Sequence, residues 1–442
     1  MELGRRLRLL VALTLALTLA LALAGCRRSA PPAPHVVAFV EDDYPAARAR
    51  AKAEGKLVFV DAWATWCHTC LSLKQFVLSD PRLGTLEDRY VFASIDTERP
   101  GNAAFVERHP MRSWPTLFVL DPATDVARLA FAGSLPAEEL VALLEDVKRG
   151  RAAGPLYQAL ADADAAAAAG KDADAARGYR EVLRAAPTDF SRRARVVESL
   201  SLPLGKVDPG ELVSVVLAEA PRLPRGNHLA NALTAALTAA EELGEAERGD
   251  ALMEHARALL ADPSARLLDD DRSSLYEARV ARLRRRGPEE ATRREAEAWS
   301  RFLDARAEAA MSPASRAVFD AHRAQAYEAM GRLDKARALV EASERAFPDD
   351  YNHPARLARI LRNQGELDAA SAAADRALAR AYGPRKLRVA DLAASIERRR
   401  GDEARAGKLL DDALREIGDG PLPPGYEKLR ARLKKEREAA AR

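Results

Sequence analysis

Val60-Asp61-Ala62-Trp63-Ala64-Thr65-Trp66-Cys67-His68-Thr69-Cys70 sets two of the chain's three cysteines directly behind the apolar run Leu57-Val58-Phe59-Val60. A short continuous apolar run is the pattern of a strand buried on both faces, so the cysteine pair is expected just beyond a central strand. Cys-x-x-Cys alone admits a redox pair, half of a zinc site or the start of a haem attachment sequence. Haem attachment requires His after the second cysteine, where this chain has Leu71. A tetrahedral zinc site needs four ligands, and beyond Cys67 and Cys70 only Cys26 and scattered histidines could supply them. Redox chemistry is the leading reading, with no metal and no cofactor expected.

The flanking sequence alternates in character. Tyr44 to Glu54 is rich in Ala, Arg and Lys and ends at Gly55, a usual helix stop. A second helix is expected from Cys67 past Val77. Val91 to Ile95, Thr116 to Leu120 and Val126 to Phe131 read as strands. Leu140, Val141, Leu143 and Leu144 recur at helical spacing after Pro136, giving a closing helix. Interleaved strands and helices make residues 36–150 an α/β domain.

The segment from Val60 to Cys70 resembles the active-site segment of the thioredoxin-like superfamily. Three further features agree in order: Asp61 stands where the family has a buried acid, Ser113-Trp114-Pro115-Thr116 where it has a cis-proline loop, and Phe131-Ala132-Gly133 before the last helix. Ser79-Asp80-Pro81 is similar to the C-terminal domain of the thiol:disulfide interchange protein DsbD. The resemblance implies a thioredoxin-like fold, a reversible Cys67–Cys70 disulfide, Cys67 as nucleophile and Cys70 as resolving thiol. It also implies Asp61 as proton acceptor and a substrate groove at Trp66, His68, Thr69, Trp114 and a cis Pro115. The physical reasons are independent of the likeness. A cysteine at a helix N-terminus is favoured as thiolate by unpaired amides and the helix dipole, and burial raises the pKa of a carboxylic acid until it can take a proton near neutrality. Thr69 stands where strongly oxidising relatives have His, which favours a reductant. Trp114 is bulkier than the usual residue before the proline.

The N-terminus reads as an export signal over residues 1–25. Arg5, Arg6 and Arg8 precede the apolar run Leu9 to Leu23, shorter than the about 20 residues that span a bilayer. Leu23-Ala24-Gly25-Cys26 resembles the lipobox of bacterial lipoproteins, which implies cleavage before Cys26 and lipidation of its sulfur. Residues 26–35, with a Pro/Ala/Ser-rich stretch from Ser29 to Pro34, then form a tether. Lipidation would leave Cys67 and Cys70 as the only thiols. A periplasm-facing lipoprotein of the cell envelope is expected. Arg27, in place of the Asp that retains some lipoproteins at the inner membrane, favours the outer membrane.

Beyond Gly150 the chain turns Ala/Leu/Arg/Glu-rich, a helical composition. Gly331, Ala336, Val340, Ser343 and Pro348 recur as Gly365, Ala370, Ala374, Ala377 and Tyr382, an offset of 34 residues. That period resembles tetratricopeptide repeats. Gly170, Ala175, Tyr179, Leu183 and Pro187 match the template, as do Gly401, Ala406, Leu410 and Leu414, with weaker copies at Gly244 and Gly287. An all-α solenoid is expected over residues 151–420, since one such unit cannot bury its own apolar face, with a charged helix or tail over 421–442.

Charge is balanced, 69 Lys+Arg against 66 Asp+Glu, which argues against nucleic-acid binding. The expected protein is a membrane-anchored thiol:disulfide oxidoreductase, more reducing than oxidising. Its repeats would dock a partner, and its partners would be protein thiols or disulfides and an upstream electron donor such as a membrane thiol reductase. A disulfide oxidase or isomerase is the nearest alternative; a repeat adaptor with a non-catalytic thioredoxin-like domain is the alternative of a different class.

Overall fold

Residues 36–149 and 154–440 are described by a computed structural model. The export signal, Cys26 and the tether lie outside the described residues, and among the described residues no helix is long and apolar enough to cross a membrane.

Five strands form one sheet in the order β1-β3-β2-β4-β5. They are β1 (Phe39–Glu41), β2 (Leu57–Trp63), β3 (Tyr90–Asp96), β4 (Thr116–Asp121) and β5 (Val126–Ala132). β3 runs parallel to both β1 and β2, whereas β4 is antiparallel to β2 and to β5. Helices α1 (Tyr44–Glu54), α2 (His68–Phe76), α3 (Ala103–Arg108) and α4 (Ala137–Arg149) complete this domain. Because strand side chains alternate between faces, β2 and β3 feed two cores. Phe59 and Phe92 pack with Leu73 of α2 and with Leu140 and Leu144 of α4. Val58, Val60, Val91, Ala93 and Ile95 pack with Ala47 and Ala51 of α1 and Phe105 of α3. Both faces are covered, which is why these strands read as apolar runs rather than as alternations.

The structure extends the sequence reading in two places. β2 continues past Val60 through Asp61 to Trp63, its register carried by Asp61 opposite Ser94 of β3 and Leu117 of β4. The acid interrupts the apolar pattern but not the ladder. β1 and α3 were not expected, being three and six residues long and so too short to display a period.

The helical region comprises α5 (Pro155–Ala168), α6 (Asp172–Ala185), α7 (Arg193–Val207), α8 (Pro209–Glu219), α9 (Asn227–Leu243), α10 (Ala246–Ala261), α11 (Asp269–Arg286) and α12 (Glu289–Ala309). It continues with α13 (Pro313–Ala317), α14 (Asp320–Ala329), α15 (Leu333–Ala346), α16 (Asn352–Gln364), α17 (Leu367–Arg380), α18 (Arg385–Arg400), α19 (Glu403–Ile417) and α20 (Pro424–Ala440). Successive helices pack as hairpins. The repeat glycines Gly170, Gly331, Gly365 and Gly401 all adopt positive φ, from 72° to 85°, the left-handed conformation that closes a helix and that costs a residue with a Cβ. The small repeat positions Ala175, Ala336, Ala370 and Ala406 are fully buried. α20 is a packed cap, with Tyr426 and Leu433 buried against Leu387 and Leu410. α5 packs alongside β5, covering a sheet edge that would otherwise offer unpaired backbone.

Candidate active site

Cys67 is the N-cap of α2, its Sγ accepting the Cys70 amide at 3.0 Å, and the two sulfurs are joined in a disulfide. Cys67 retains 5% of its surface and Cys70 none. Asp61, on β2, is fully buried, and neither carboxyl oxygen has a hydrogen-bond partner among the described residues. Burial pushes its pKa up from 3.8 to about 7; Lys74 opposes the rise and Glu41 adds to it. Pro115 follows a cis peptide bond from Trp114. Asp80 does not reach the cysteines; it caps the short 3-10 turn Pro81–Leu86 through the Arg82 amide at 2.9 Å.

The surroundings of the cysteines come from the helical array. A cleft of about 610 Å³ is bordered by Trp66, Cys67, His68, Thr69 and Trp114 on one side and by Glu277, Arg284, His322, Arg356 and Arg385 on the other. Trp66 packs on Trp114 with ring centroids 5.3 Å apart, and the Arg385 guanidinium lies 4.9 Å from the Trp66 ring. Trp114 donates its indole N–H to Thr97 at 2.9 Å, and with Thr69 it also borders a second cleft lined by Ser134, Glu198 and Asn231.

His68, expected at a substrate groove, borders the cleft beside Cys67 and also meets the array. It is 8% exposed, contacts the Asp270 carboxylate through Nδ1, and stacks on His322 with centroids 3.8 Å apart. The remaining contacts tie the same faces together. Glu98, 2% exposed, accepts from Trp66 Nε1 at 2.9 Å, Tyr351 at 2.9 Å and Tyr426 at 2.6 Å. Burial raises the pKa of Glu98, with these three donors opposing. Tyr382 donates to Asp96 at 2.6 Å and Ser134 to Asp271 at 2.7 Å. Burial, reinforced by neighbouring Asp270, pushes Asp271 well above the usual carboxylate range.

Sequence reasoning singled out Cys67, Cys70, Asp61, Trp66, His68, Thr69, Trp114 and Pro115, which lie together at one end of β2. It missed Glu98, Asp270, His322, Tyr351 and Tyr426. The four residues of the array had as their only signal that aromatic and charged residues interrupt its Ala-rich helices, and Glu98, in the loop after β3, had none.

Residues 39–122 match the thioredoxin-like family model. Among solved structures, a thioredoxin from Thermus thermophilus shares 31% identity over 26% of this chain and 93% of its own, with a TM-score of 0.24. A tetratricopeptide repeat protein from Parabacteroides merdae shares 13% identity over 63% of this chain and 98% of its own, with a TM-score of 0.41. No curated protein matches. With strand order, cysteine pair and 34-residue repeat in agreement, the chain joins a domain of the thioredoxin-like family to a tetratricopeptide-like helical array.

Proposed function

We propose that this chain is a thiol:disulfide oxidoreductase of the bacterial cell envelope, held to the membrane by lipid on Cys26 and exchanging electrons at Cys67 and Cys70. The observation that carries the reading is the unpartnered Asp61 carboxyl, buried on the strand that leads into the cysteine pair and held near neutral pKa. In the reducing direction the Cys67 thiolate attacks a substrate disulfide, forming a mixed disulfide and releasing one substrate thiolate. Asp61 takes the proton of Cys70. The Cys70 thiolate then attacks Cys67 Sγ, which forms the Cys67–Cys70 disulfide and releases the second substrate thiol. An upstream dithiol donor, for which a membrane thiol reductase is the natural class, returns the pair to its reduced state and is itself oxidised. Cys67 borders the cleft that the array completes, which places the array to select the protein thiols and disulfides that arrive.

Replacing Cys70 by Ser should trap partners on Cys67 as mixed disulfides, separable on non-reducing gels and lost in a Cys67→Ser, Cys70→Ser double variant. Trapping that persists without Cys67, or a double variant that retains full function in cells, would refute the reading and leave the array as a scaffold. Equilibration in a glutathione buffer series gives the direction of electron flow. A potential near that of strong oxidants, about −120 mV, would make the protein an oxidase.

A further inference from the structure

We propose that His68, Asp270 and His322 form a binding site for a divalent transition-metal ion that clamps the cysteine-bearing helix to the helical array. The three come from α2, α11 and α14, are 8%, 1% and 7% exposed, and offer one ligand atom each, the three atoms lying within 4.8 Å of one another.

Two features of the cluster call for a cation. His68 Nε2 has no hydrogen-bond partner among the described residues, and the buried Asp270 carboxylate is met by His68 Nδ1 and the Thr69 side chain. Burial strips a carboxylate and an imidazole of hydration that these few partners replace only in part, and an ion bound to their lone pairs would offset the loss. The second feature is the setting of His322. Its Nδ1 pairs with Ser273 Oγ at 2.7 Å, and Ser273 Oγ is itself held by Trp299 Nε1 at 2.7 Å. A partner on one ring nitrogen that orients the other is the usual support of a metal-binding imidazole. His322 Nε2 then points toward Glu277, whose Oε2 is 3.7 Å away and which can close the shell with water. Two imidazoles and a carboxylate suit Zn²⁺, Fe²⁺, Mn²⁺ or Co²⁺ better than Ca²⁺ or Mg²⁺, which prefer all-oxygen shells. The ion would sit one residue from Cys67, and its charge would favour the thiolate there. The site itself stands whether or not the cysteines exchange.

The test uses the full-length protein, stripped with a chelator and titrated with Co²⁺. Expected are one equivalent bound with visible d–d absorption, displacement by Zn²⁺, and a rise in melting temperature on metal addition. Asp270→Asn and His322→Ala should each weaken binding by roughly 100-fold or more, while the Cys67→Ser, Cys70→Ser double variant should bind as the parent does. Should either single variant fail to fold, the parent and the double-cysteine variant still decide the matter through the Co²⁺ spectrum. Absence of absorption and of thermal shift would leave a plain His68–Asp270 ion pair and overturn the proposal, as would loss of binding on removing the cysteines or unchanged affinity in folded Asp270→Asn and His322→Ala.

Discussion

Tyr351 of the helical array donates its hydroxyl to Glu98 of the thioredoxin-like domain at 2.9 Å, and the same carboxylate holds the indole of Trp66 beside Cys67. A contact across 253 residues of sequence therefore positions an aromatic neighbour of the disulfide. Tyr351→Phe removes one of three donors to a buried acid and should cost about 1.5–3 kcal/mol, the range for hydrogen bonds to charged groups. Urea denaturation checks the cost, and Trp66 fluorescence should shift with it. A change below about 0.5 kcal/mol, the scatter of ordinary surface substitutions, would show that the contact contributes nothing to holding the domain.

Gly383 lies against the backbone of Glu98, and a Cβ there would fall 1.9 Å from the Glu98 carbonyl oxygen, at a φ of +54°. Gly383→Ala therefore cannot dock as the parent does. Once reduced, Cys67 should become more accessible, and its alkylation by iodoacetamide should accelerate about tenfold or more, since thiol reactivity follows exposure as well as thiolate character. An unchanged alkylation rate would mean that the array does not control access.

Asp61→Asn should act on stability and on exchange together. The folded pKa of about 7 lies above the ordinary 3.8, so folding favours the protonated acid. Stability attributable to this group is fully present below pH 3.8 and is lost as pH rises toward 7. At pH 8 the substitution should recover up to roughly 4 kcal/mol, from about 1.4 kcal/mol per pKa unit, and the gain should vanish in acid. The resolving step should slow by about 100-fold or more with loss of a general base, and the limb near neutrality in the pH–rate profile should disappear. Equal stability gains at pH 4 and pH 8 would contradict the buried-acid account.

Two glycines separate conformational from steric cost in the array. Gly365 has φ +83° and open space, with nothing within 4 Å of where a Cβ would stand, whereas at Gly178 a Cβ would lie 2.9 Å from that of Ala163. Gly365→Ala should lose about 1–2 kcal/mol through left-handed strain, and Gly178→Ala about 1–3 kcal/mol through overpacking between α5 and α6. Equilibrium unfolding distinguishes them, because enlarging the facing space with Ala163→Gly should rescue only the second.

What the sequence determined by itself is whatever depends on near neighbours along the chain. The apolar run into Cys67 marks a central strand because β-sheet burial acts on consecutive residues, and Asp61 is conspicuous because it interrupts that run. The 34-residue recurrence of Gly and Ala is legible because each hairpin needs the same left-handed turn and the same close helix contact. What only the tertiary structure decided is where the array meets the cysteines. His68 reads as a groove residue from its place in the motif, and only the fold adds that Asp270 and His322, on helices about 200 and 250 positions further along, lie against it. Glu98 has the composition of a surface loop residue until Tyr351 and Tyr426 arrive from the array to bury it. These pairings carry no period and no local spacing. They arise from the packing of a sheet domain against a stack of helices, where a buried acid or imidazole is tolerated only because a partner distant in sequence is brought to it.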